Sequence, residues 1–81
     1  VENTILYPNP SSNKIYIDLS VFKNTNTNIV IVNNLGQPVS NMNTDENNIV
    51  ELNISLFPSG LYEAEIIQNG HIIHSEKFII Q

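Results

Sequence analysis

The chain has 81 residues, 41% hydrophobic and 14% charged, enough for one small two-layer core and not for two domains. Eight acidic residues against three basic ones give a net charge of −5, which opposes a nucleic-acid partner, because that affinity grows with the phosphates that Lys and Arg neutralise. Zero Cys removes disulfides, thiolate metal sites, thiol nucleophiles and redox motifs together, and two His without Trp leave little for a metal centre or an indole sugar platform.

No apolar run approaches the roughly 20 residues of a membrane-spanning helix; the longest, Ile29-Val30-Ile31-Val32, has strand length. The chain opens at Val1 with no basic region followed by an apolar core and cleavage site. It reads as one domain over residues 1–81, a piece cut from a longer protein, with any export signal expected upstream. Fourteen Asn and thirteen Ile pair a turn former with a β-branched strand former.

In chain order, Tyr7-Pro8-Asn9-Pro10-Ser11-Ser12-Asn13 is a stiff corner, since two prolines fix φ and remove two N–H donors. Lys14-Ile15-Tyr16-Ile17-Asp18-Leu19 alternates, with Ile15, Ile17 and Leu19 on one face. A polar K-N-T-N-T-N loop follows from Lys23. Residues 28–32 are apolar on both faces, the pattern of a central strand. Asn33-Asn34-Leu35-Gly36 supplies a glycine where a hairpin needs positive φ. The stretch from Asn43 to Asn48 is another polar loop. Val50, Leu52 and Ile54 alternate with Glu51 and Asn53, and Phe57-Pro58-Ser59-Gly60 is a tight turn. Tyr62, Ala64 and Ile66 alternate with Glu63 and Glu65, and Asn69-Gly70 is the strongest hairpin signal in the chain.

Ala64 is the only alanine, and no window carries a helical stripe. Six or seven short strands predict an all-β fold, a small antiparallel β-sandwich, with a barrel as the alternative. The last strand has two registers. A plain two-residue turn sets Ile66 opposite Ile73 and Tyr62 opposite Lys77, leaving Phe78 and Ile80 on the face of Glu63 and Glu65. A longer loop or β-bulge reverses the strand and brings both into the core, which is the expected arrangement for a large aromatic in so small a domain.

Candidate chemistry is sparse. His71 and His74, three apart on a strand, are expected on opposite faces, with Glu65 facing His74 in the plain register. That is at most two ligands, so they read as surface histidines and no metal or other cofactor is expected. Glu63 and Glu65 share a face but have no cleft to raise one pKa for glycosidic acid/base work. Asp45-Glu46 lacks calcium-loop spacing, and no serine sits in a G-x-S-x-G context. Asn53-Ile54-Ser55 is a glycosylation sequon in a strand-like setting. Tyr7, Tyr16 and Tyr62 could form an aromatic strip, but Tyr62 is more simply core and Tyr16 points away from Ile15 and Ile17. No catalytic constellation emerges.

The order of the punctuation is more specific than any single motif. Leu6-Tyr7-Pro8-Asn9-Pro10-Ser11 is followed by Ile15-Tyr16-Ile17, then Asn34-Leu35-Gly36-Gln37-Pro38-Val39, then Leu56-Phe57-Pro58-Ser59-Gly60-Leu61-Tyr62, then Asn69-Gly70 and Lys77-Phe78-Ile79-Ile80-Gln81. From Tyr7 to Gln81 this resembles a type A C-terminal sorting domain of the type IX (Por) secretion system of the Bacteroidota. The Asn-rich loop near Asn24 and the terminal Gln81 depart mildly from that pattern.

The resemblance implies an Ig-like antiparallel β-sandwich of about seven short strands that acts as a non-catalytic address, directing a fused upstream cargo across the outer membrane, to the cell surface or the medium. Its implied partners are the outer-membrane translocon, a shuttle protein and a sortase-like cysteine protease that removes the domain, with release of the cargo or attachment to anionic lipopolysaccharide. Pro8, Asn9, Pro10, Gly36, Gly60, Tyr62, Gly70 and Lys77 are its motif residues here. Pro8 and Pro10 would stiffen the entry, Gly36 and Gly60 free the turns, Tyr62 anchor the core, and Lys77, one of three cations, contact the machinery. For all but Lys77 a purely folding role is the simpler reading. The second functional reading is an Ig-like or fibronectin-like accessory module that binds polysaccharide or a cell surface, since a sandwich does not fix function.

Overall fold

The computed structural model describes residues 5–23, 25–45 and 48–81. Asn24 of the first polar loop, and Glu46 and Asn47 of the second, lie outside them, and with Glu46 the Asp45-Glu46 pair. Seven strands form: β1 (Leu6–Tyr7), β2 (Lys14–Asp18), β3 (Thr27–Asn33), β4 (Pro38–Thr44), β5 (Ile49–Asn53), β6 (Gly60–Gln68) and β7 (His71–Ile80). They make two sheets, ordered β1-β2-β5 and β4-β3-β6-β7, with every strand pair antiparallel. The expected Ig-like sandwich is the fold observed.

Period-two alternation places the core. Ile15, Ile17 and Leu19 from the first sheet meet Ile29, Ile31, Ala64, Ile66, Phe78 and Ile80 from the second, all buried. Each large side chain among them contributes about 1.5–3 kcal/mol relative to exposure. Apolar residues on both faces of β3 follow from its place between β4 and β6.

The β6–β7 hairpin settles the register question. Asn69 (φ 53°) and Gly70 (φ 75°) make the two-residue turn with positive φ at both positions. Gln68 faces His71 and Ile67 faces Ile72, but Ile66 then faces His74, so Ile73 is the extra residue of a β-bulge. Beyond the bulge Tyr62 lies opposite Phe78 and Glu63 opposite Lys77. One inserted residue reverses the strand and carries Phe78 and Ile80 inside.

The bulge also corrects the reading of the histidines. It shifts the period by one, so His71 and His74 fall on the same side of β7 rather than opposite sides. The partner of His74 is Glu76, not Glu65, which faces Ser75.

Tyr62 ties the β5–β6 connection to the core. Its ring stacks between Phe57 (6.1 Å) and Phe78 (5.9 Å), and its hydroxyl donates to the Pro58 carbonyl at 2.6 Å. A tyrosine bonding back to the backbone just upstream of its own strand is a recurring corner of β-sandwiches. Gly60 begins that strand at φ 156°, with the Tyr62 ring 3.9 Å from where a Cβ would stand. Tyr62→Phe is expected to cost about 0.5–1.5 kcal/mol, because the hydrogen bond to the exposed Pro58 is lost while the ring stack remains. Urea denaturation measures this, and an unchanged midpoint would remove the hydroxyl from the account.

Candidate recognition surface

Strand register sorts the loops between the two ends of the sandwich. Asn33 lies opposite Tyr62, Gly60 opposite Ile80 and Lys14 opposite Asn53, while Ser11 bridges to Ile80. These pairs gather the 8–13 corner, the 34–37 turn, the 54–59 loop and Gln81 at one end. Asp18 opposite Ile49, and Thr27 opposite Gln68, mark the other end, where the Asn69-Gly70 turn lies. The chain enters on this second side, since Asp18 donates its N–H to the Ile5 carbonyl.

Motif residues scattered along the sequence are therefore neighbours in space. Pro8, Asn9, Pro10, Gly36, Gly60 and Tyr62 belong to the first end, and Lys77 lies just inside it. Gly70 stands apart at the second.

The corner does more than turn the chain. Both its prolines follow cis peptide bonds, and between them Asn9 accepts the Ile79 N–H at 3.0 Å and reaches the Lys77 carbonyl at 3.5 Å. Ser11 donates its N–H to the Ile79 carbonyl, and Gln81 donates to Ser11. The outer edge of the final strand is thus sealed by a segment about 70 residues earlier. Nearer the entry, Glu76 accepts both the Ile5 N–H and a His74 Nε2 contact, each 3.0 Å. The bonds of Ser11 to Ile79, Gln81 to Ser11 and Glu76 to Ile5 carry no signal in the local sequence, because each partner lies about 70 positions away, whereas His74 and Glu76 are a same-face pair two residues apart on β7.

A recess of about 250 Å³ opens on the outer face of the four-stranded sheet, lined by Val32, Asn34, Gly36, Leu61, Glu63 and Lys77, among others. Lys77 forms no ion pair among the described residues, whereas Lys14 bonds Glu51 at 3.2 Å. In a chain of net charge −5, Lys77 is a cation free to meet an outside anion. The neighbouring turn is rigid, because Asn33 Oδ1 accepts the N–H groups of Leu35 and Gln37 and the Gly36 N–H bonds the Asn33 carbonyl.

The remaining candidates stay separate. Tyr7 and Tyr16 do stack, at 5.6 Å, on the outside of the first sheet, away from Tyr62 in the core. The sequon residue Asn53 uses Oδ1 to accept the Ser55 N–H and hydroxyl. Two bonds from Ser20 hold the Asp18 carboxyl below the usual carboxylate range, a contribution present at neutral pH and lost as pH falls through that lowered value. No group of three or more metal-ligating side chains gathers among the described residues.

Fold and surface together define a small β-sandwich module whose distinguishing feature is a corner-rich end. The family model described as the secretion system C-terminal sorting domain matches residues 5–81, and the chain belongs to that family. It is a C-terminal sorting signal of the type IX secretion system. Such a domain is carried by an upstream cargo and read by the type IX machinery, which takes the cargo to the cell surface or outside. No curated protein matches the chain. No helix among the described residues is long and apolar enough to cross a membrane.

Proposed function

We propose that the domain is a non-catalytic address read at its corner-rich end by the outer-membrane translocon and shuttle protein. A sortase-like cysteine protease then cuts upstream of β1, and the cargo is released or attached to the surface. The observation that carries this reading is the convergence of the motif residues at the end away from the chain's entry. A label so built holds its readable face away from whatever cargo precedes it. The chemistry is left to the partners, and Lys77 beside its recess is the contact assigned to the machinery.

The test uses a signal-peptide-bearing reporter fused to residues 1–81 in a type IX-competent strain. Lys77→Ala, on an exposed position, should leave the melting temperature within about 4 °C of the parent yet lower export about tenfold. The exported reporter should have the mass of a chain ending before Ile5. Export of Lys77→Ala at the parent level removes that residue from the reading, and a reporter emerging with the domain intact removes the cleavage.

A further inference from the structure

The two sides of the sandwich are finished differently. On the β1/β7 side, Asn9, Ser11 and the Ile5–Glu76 bond close the gap between the sheets, and the bulge at Ile73 breaks the remaining edge. On the β4/β5 side, no backbone hydrogen bond joins the two strands among the described residues. Among the described residues β4 pairs only with β3 and β5 only with β2. Pro38 and a bulge guard the first residues of β4, but from Ser40 to Asn43 the register is regular and no side chain is charged.

The gap behind this edge is apolar. Met42 faces Ile29, Val50 faces Ile17 and Leu52 faces Ile15, so all three point inward, yet each is only partly buried. Proteins ordinarily blunt such an edge with Lys, Pro or a bulge, as this one does on its other side. An extended segment laid along β4 would gain main-chain hydrogen bonds, and alternate side chains would cover Met42, Val50 and Leu52.

We infer that β4 is a strand-acceptor edge for an extended segment of the sorting machinery, apolar at alternate positions and flanked by basic residues. This rests on the proposed reading of the domain as an address. Charge selects the occupant: a second copy would bring another −5, whereas basic flanks complement the acidic domain and the exposed Asp45 at the end of the strand.

The test is export of the reporter fusion carrying Asn41→Lys and Asn43→Lys, both on the outer face and clear of the core. Val21→Lys with Ser75→Lys, also at exposed positions, adds the same charge elsewhere. The edge pair should lower export about tenfold while melting within about 4 °C of the parent, and the control pair should export normally. Because the chain has no Cys, Asn41→Cys gives a single thiol that reports the edge even if the lysines disturb folding. That thiol should resist maleimide in fusions captured on the translocon and react in free fusions, while Ser75→Cys reacts in both. Normal export of the edge-lysine pair with an equally reactive Asn41→Cys overturns the inference and leaves the address intact. An unexported parent fusion overturns both. Sedimentation showing a parent dimer abolished by the edge lysines replaces the machinery segment with a second copy, and so contradicts the assignment.

Discussion

Phe78→Ala is expected to cost about 3–5 kcal/mol, the range for deleting a buried aromatic, and to lower the melting temperature by roughly 15–30 °C. Phe78 is 1% exposed and stacks on Tyr62, which also holds the β5–β6 connection through Pro58. Losing the ring opens a cavity at the contact between the final strand and the tyrosine corner. A domain of this size has only about 5–15 kcal/mol in total, so the change removes a large share of its stability. Thermal denaturation followed by circular dichroism measures the shift, and a drop of only a few degrees would show that Phe78 is not packed as described.

Asn9→Ala should be the most damaging change in the proline corner. It removes the acceptor for the Ile79 N–H and the contact to the Lys77 carbonyl. The expected cost is about 1–2 kcal/mol, or roughly 5–15 °C, because both groups return to solvent rather than being trapped. The larger consequence is an exposed edge on the final strand, which invites pairing between molecules. Light scattering at increasing concentration should show association in Asn9→Ala that the parent lacks. If Asn9→Ala melts and scatters like the parent, the corner is only a turn and the sealed edge is not a feature of the domain in solution.

Much of the fold is legible in the chain because its strands alternate cleanly. Ile15, Ile17, Ile29, Ile31 and Ile66 announce the buried faces, and Asn69-Gly70 announces its turn. The reversal of the last strand is also legible, since a core this small has to claim Phe78. The position of the bulge is not, because it depends on how β7 packs against residues outside the hairpin. That is why the plain register set His74 against Glu65 and put the two histidines on opposite faces. Asn9 stands out in the sequence as part of a proline corner, yet its bond to Ile79 spans 70 positions and leaves no periodic trace. The recess has the same character: Val32, Leu61 and Lys77 become neighbours only through the pairing of β3, β6 and β7. The ordered motifs carry the family although no single one does, because most of them mark the turns of one end of a sandwich, with Asn69-Gly70 at the other.

The central claim is that these 81 residues suffice as an address. The most direct measurement is surface or medium fluorescence of a signal-peptide-bearing reporter fused to residues 1–81, in paired strains with and without the type IX translocon. The account predicts export in the first strain and periplasmic retention in the second. A folded, intact fusion held in the periplasm of the competent strain would contradict it.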